Sequence, residues 1–200
     1  MWLNKIIFAM FLVVLFLIIP MGASAGNLMD PVDDQEEAES AFLRVRGILS
    51  GFGITVDREI LLLLRSRDEV QVHFVSTGGR AIEVGGFYRP FAPESIWVVS
   101  GRPRGLLMGD LAHELAHAWQ STNSPLQDRK IKEGFAMWCQ YKTLVSLGRE
   151  DMARQYARLK DPDYGGGLRM FLKIEEEKGL AGVIEFARTI KKVPDRFKDI

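Results

Sequence analysis

Cysteine is almost missing from this 200-residue chain: Cys139 is the only one. A lone cysteine excludes an intrachain disulfide, so the fold cannot rest on oxidative cross-links. Cys139 follows Trp138 inside an apolar helical pattern and reads as a small buried side chain, not a nucleophile. Net charge is missing too. The 26 basic residues balance 26 acidic ones, and no basic stripe runs along the sequence, which argues against nucleic acid as a partner. Internal repeats are absent. Histidine is scarce, with three in all, and two of them fall close together.

Nor does any apolar run reach the roughly 20 residues of a membrane-spanning helix. The longest, Ile6 to Ile19, has fourteen. Lys5 precedes it, Pro20 breaks it, and Ala23-Ser24-Ala25 offers a small-x-small cleavage site, the layout of a secretory signal. No cysteine follows the run to carry a lipid. The expectation is a signal peptide over residues 1–25, a mature chain starting near Gly26, and an exported protein, periplasmic or secreted. An uncleaved N-terminal anchor is the alternative, and the only membrane association expected.

What remains is enough for one domain with a real core. Residues 26–36 are polar and acidic and read as a disordered lead-in to a domain spanning 37–200. Glu37 to Gly51 carries a helical stripe. Val70 to Val75 alternates and reads as a strand with His73 on its polar face, Gly78-Gly79 as a turn, and Ala81 to Tyr88 as a second strand. Ser95-Ile96-Trp97-Val98-Val99 is the strongest strand pattern. Leu106 to Trp119 is amphipathic and helical, and Ser121 to Pro125 is loop-like. Further helices are expected over Phe135–Leu147, Asp151–Leu159, Leu168–Lys178 and Leu180–Lys191, the last two separated by Gly179. Pro162 to Gly167 reads as a glycine-rich loop, and Glu175-Glu176-Glu177 as a solvated helix face. The fold class expected is α+β, with a small N-terminal sheet, a central active-site helix and a mostly helical C-terminal half.

Inside the Leu106–Trp119 helix lies His113-Glu114-Leu115-Ala116-His117, an H-E-x-x-H pattern. Histidines four apart on a helix share one face, so their imidazoles can converge on one ion. Imidazole nitrogen suits zinc, and Glu114 is placed to act on water at the metal as a general base. A catalytic zinc needs a third protein ligand. No histidine follows His117, and position 123, where a metzincin pattern would place a third histidine, is Asn123. The best candidate is Glu133, on the next helix after a short connection. Glu150 and Asp151 fall farther along and are weaker alternatives. Gly134 beside Glu133 removes a side chain where two helices approach.

The pair His113-Glu114-Leu115-Ala116-His117 and Glu133-Gly134-Phe135-Ala136 resembles the gluzincin branch of zinc metallopeptidases. The wider pattern includes Ser100 to Gly105, Ala118-Trp119 and Asp163-Tyr164-Gly165-Gly166-Gly167-Leu168-Arg169. It is similar to the peptidase domain that follows LIM domains in ubiquitin-regulated growth-control peptidases. The likeness covers roughly residues 94 to 190, without a LIM domain or ubiquitin-binding segment. It implies a zincin-like fold, one Zn2+ held by His113, His117 and Glu133, and Glu114 as catalytic base. It also implies that the strand before the metal helix, Ser95–Val99, pairs with extended substrate.

The function expected is hydrolysis of peptide bonds in a peptide or protein substrate. Tyr164 and Arg169 are candidates to stabilise the oxyanion, if the glycine-rich loop returns them to the cleft. Two other readings stay open. One is a non-catalytic envelope protein with a zinc-stabilised helix pair, which would normally need a fourth protein ligand. The other is a hydrolase of cell-wall peptide crosslinks.

Overall fold

A computed structural model describes residues 27–76, 84–197 and 199–200. The expected signal segment, the Gly78-Gly79 turn and residues 81–83 of the expected second strand lie outside the described residues. In chain order the elements are β1 (Pro31–Val32), α1 (Gln35–Gly51), β2 (Leu61–Arg65), α2 (Arg67–Ser76), β3 (Gly86–Arg89), β4 (Ser95–Val99), β5 (Arg102–Pro103), α3 (Arg104–Asn123), α4 (Arg129–Ser146), α5 (Glu150–Ala157) and α6 (Gly165–Thr189), with a final 3-10 turn at Asp195–Phe197. The class is α+β, as expected. No helix among the described residues is long and apolar enough to cross a membrane.

The main sheet has the order β2-β4-β3, with β2 parallel and β3 antiparallel to β4. A parallel neighbour needs a crossover, and α2 supplies it. Residues 96 and 98 of β4 face the large core under α1 and α3, while Val99 and Phe87 meet Val70 of α2 on the other face. Because β4 is paired on both sides, it has no free edge for a substrate. The expectation that Ser95–Val99 binds an extended peptide is corrected: among the described residues, the free edge on the α3 side is that of β3.

Two further expectations fail, one for a local reason and one for a distant one. Val70–Val75 is helix, not strand. Ser66 and Glu69 form a capping box at its start: Glu69 Oε2 accepts from the Ser66 N–H at 3.0 Å, and Ser66 Oγ from the Glu69 N–H at 3.4 Å. The apparent alternation hides an i, i+4 pair. Val70 and Phe74 face the sheet, while Val72 is 67% exposed. His73 packs on Trp97 with ring centroids 4.3 Å apart. Residues 27–36, expected to be disordered, are ordered from Asn27 onward. Val32 is fully buried, and the carbonyls of Leu28, Asp30 and Val32 accept from Gly105, Arg104 and Gly101. A composition-based reading cannot see partners that lie seventy residues away.

The C-terminal half packs α4 against both α3 and α6. Its core is a chain of rings. Phe135 lies 5.1 Å from Trp119 and 5.6 Å from Phe171, which in turn meets Phe186 at 5.5 Å. Gly165, Gly166 and Gly167 belong to the first turn of α6, not to a loop. The expected break at Gly179 is present as a kink with φ 67° inside that helix. Glu175 is not simply solvated: it accepts from Trp138 Nε1 and Lys142 Nζ, both at 2.7 Å, and ties α6 to α4. Cys139 is buried and free.

Candidate metal centre

Helix α3 presents His113 and His117 one turn apart, and α4 brings Glu133 opposite them. The two Nε2 atoms are 3.1 Å apart, and Glu133 Oε2 lies 3.4 Å from each. Tetrahedral zinc with bonds of 2.0–2.1 Å places its ligands about 3.3 Å apart. Three nitrogen and oxygen donors with nearly that mutual spacing fit such an ion, and these three residues can hold a metal. Burial would raise the Glu133 carboxyl, but hydrogen bonding and the charge of the two imidazoles outweigh it and hold the group well below the usual carboxylate range. It is therefore an anionic donor.

Gln120, unforeseen from sequence, organises this cluster. It is 2% exposed. Its Nε2 donates to the backbone carbonyl of Lys132 at 3.0 Å, next to Glu133. Its Oε1 sits 3.0 Å from His117 Nδ1. An amide oxygen only accepts, so Nδ1 carries a proton, which makes Nε2 the nitrogen that can offer a lone pair to a metal. One side chain thus fixes a proton on one member of the cluster and the position of another. The connection between α3 and α4 is bolted to the end of α6. Ser124 Oγ donates to Arg188 O at 3.0 Å, and Gln127 Nε2 to Ala187 O and Ile190 O at 2.8 Å.

Glu114 is 7% exposed. Burial pushes its carboxyl up to about 7; the negative charges of Glu133 and Asp110 add to this, while His113 and the backbone N–H of Tyr88 pull the other way. Tyr88 lies on the free edge of β3, so the strand edge and the acid face the same space. An acid–base group with a pKa near neutral is suited to taking and returning a proton at that pH.

The cavity that holds these groups has a volume of about 730 Å³. Tyr164 lines it. Its ring stacks beside His113 with centroids 6.2 Å apart and planes 17° off parallel. Burial and the charge of Glu133 raise its hydroxyl, and Arg129, whose guanidinium carbon lies 5.8 Å from the ring centroid, opposes them. Arg129, also unforeseen, is held in turn by Asp163 at 3.2 Å. Arg169 is elsewhere: its Nη1 donates to the carbonyls of Ala157 and Leu159 at 3.0 and 2.8 Å, and it does not line the cavity. Its expected oxyanion role is corrected, because α6 begins at Gly165 and turns position 169 toward α5. Glu150 and Asp151 do not line the cavity either. Asp151 pairs with Arg149 at 3.0 Å.

No protein-family model, curated protein or solved structure matches this chain.

Proposed function

We propose that this protein is a zinc-dependent, gluzincin-like peptidase that cleaves peptide bonds with Glu114 as proton carrier. The observation that carries the reading is the coincidence of two things in one cavity. Three donors have the mutual spacing of a zinc site, and a buried carboxyl with a pKa near 7 stands beside one of them. His113, His117 and Glu133 would hold the ion. When bound, zinc supplies Lewis-acid polarisation of a carbonyl oxygen and lowers the pKa of water from 15.7 to about 7.

The chain's own groups do the rest. An extended peptide lies along the free edge of β3, whose backbone groups bind without demanding a sequence. Glu114 takes a proton from the attacking water as the water oxygen bonds to the carbonyl carbon. It then passes that proton to the leaving nitrogen as the C–N bond breaks. Tyr164, steadied by Arg129, offers a hydroxyl donor to the negative charge on the carbonyl oxygen. Among the described residues, no paired cysteine or further histidine stands beside the three donors to complete a closed structural site. Export through the Ile6–Ile19 segment belongs to the same proposal, and the intact mass of native protein checks it.

The test is metal content with turnover. Purified protein should carry one zinc per chain and cleave members of a peptide library, and a chelator should abolish cleavage reversibly. One bound zinc with no cleavage of any peptide would overturn the peptidase and leave the non-catalytic envelope protein.

A further inference from the structure

A second polar cluster shares this cavity, one turn of α3 toward its N-terminus. Asp110 stands at i−3 from His113, about 4.5 Å back along the axis at 1.5 Å per residue. Arg102 of β5 brings its Nε to 2.6 Å from Asp110 Oδ2, and the two side chains are 21% and 14% exposed. The contact is close but not aligned as a hydrogen bond, and neither atom has another hydrogen-bond partner. Gly85 makes room for the pair: a Cβ there would lie 2.4 Å from Asp110 Oδ2 and 3.0 Å from Arg102 Cζ. Tyr156 and Gln140 complete this wall.

None of these groups holds the metal or carries the proton. A buried ion pair is a poor stabiliser compared with apolar packing of the same size, so stability alone is a weak reason for it. The charges lining the cavity are informative. Arg102, Arg129 and Lys132 oppose Asp110, Glu114 and Glu133. They cancel formally, three against three, and a divalent ion leaves the cavity positive. Arg102 has five N–H donors in a planar fork, and the contact that ties it to Asp110 is made through Nε.

We propose that Arg102, buttressed by Asp110, receives a carboxylate of the peptide one or two residues from the cleaved bond. This rests on the peptidase reading above. The spacing follows from the offset of about 4.5 Å along α3 against 3.3–3.6 Å per residue of extended chain. The carboxylate is either an Asp or Glu side chain or the peptide's own free C-terminus. Both suit a guanidinium fork.

Matched peptides distinguish these sources. One series carries Glu or Gln at each position flanking the scissile bond; the other ends in a free carboxylate or an amide. Affinity is measured by calorimetry on zinc-loaded Glu114→Gln protein, and turnover on native protein. Acid-bearing peptides should bind at least about tenfold more tightly than their amide counterparts. A Glu-over-Gln preference assigns the side chain, and a free-end preference assigns the terminus. Arg102→Gln should erase the preference, bind neutral peptides within about threefold of the parent, and keep its zinc. Arg102→Lys should retain part of the preference, because it keeps the charge and loses the fork. Equal affinity for acid and amide peptides, or no binding of any peptide, overturns the subsite. So does an equal loss for all peptides in a folded Arg102→Gln protein. The acid–amide comparison needs no variant at position 102, so misfolding there leaves the test intact. A binding preference without turnover keeps the subsite and sinks the peptidase; turnover without a preference does the reverse.

Discussion

Gly134 and Gly167 touch backbone to backbone. A Cβ on Gly134 would lie 2.7 Å from the Cα of Gly167, and one on Gly167 would lie 2.6 Å from the Cα of Gly134. This contact seats the first turn of α6 on α4 beside Glu133 and so brings Tyr164 next to His113. Gly134→Ala should destabilise the protein by about 1–3 kcal/mol, the usual cost of overpacking. It should also weaken zinc binding by shifting Glu133. Gly47 in α1 is the contrast: a methyl group there would meet nothing within 4 Å. Gly47→Ala should be stabilising by up to about 1 kcal/mol through helix propensity. Urea midpoints measured with and without zinc check both.

Removing any metal donor should empty the site. His113→Ala, His117→Ala and Glu133→Ala should each fall well below one zinc per chain by elemental analysis. Gln120→Ala should act at one remove. It frees the His117 tautomer and the carbonyl beside Glu133, so zinc affinity should drop by about 10–100-fold while the fold persists. Competition with a zinc-binding dye reads this directly, and unchanged affinity would refute the orienting role.

Glu114→Gln keeps the size of the side chain and removes the acceptor of the proton. Zinc content and thermal stability should stay close to those of the parent. Turnover on an active peptide should fall by about 10²–10⁴-fold. A zinc-loaded variant with full turnover would reassign the proton carrier. Loss of zinc together with activity would move Glu114 into the support of the metal.

Asp110 makes a pH prediction for the metal-free protein. Burial, opposed by Arg102 and His113, lifts its carboxyl from 3.8 to about 6. The folded state therefore keeps a proton that the unfolded chain has already lost. The contribution is fully present below about pH 4 and is lost as pH rises through about 6; over that window it amounts to about 3 kcal/mol. Asp110→Asn cannot titrate. The stability of the parent minus that of the variant, taken from urea melts in chelator, should fall between about pH 4 and pH 7. A rise over the same interval would contradict the assignment.

The cluster that could hold a metal was legible because two of its members sit on one helix, where spacing alone puts them on one face, and the third follows on the next helix. The rest of the site is assembled by tertiary contact. Arg102 and Asp110 come together only once β5 turns into α3. The backbone of Tyr88 reaches Glu114 only because β3 is an edge strand. Local signals were nonetheless present for two misreadings. The Ser66 and Glu69 pair marked the start of α2, and Gln120 lies three residues after His117, on the same helical face. Burial of Val32 against a strand seventy residues later left no local trace at all.

Because the three groups that could hold a metal come from two helices, an ion bound there would also act as a cross-link. It would join α3 to α4 across the Asn123–Arg129 connection and bind the folded chain in preference to the unfolded one. By mass action, free zinc at a thousand times its dissociation constant would deepen the folded state by about 4 kcal/mol. That is a sizeable share of the 5–15 kcal/mol typical of a domain, in a protein whose single cysteine leaves it no covalent tie of its own.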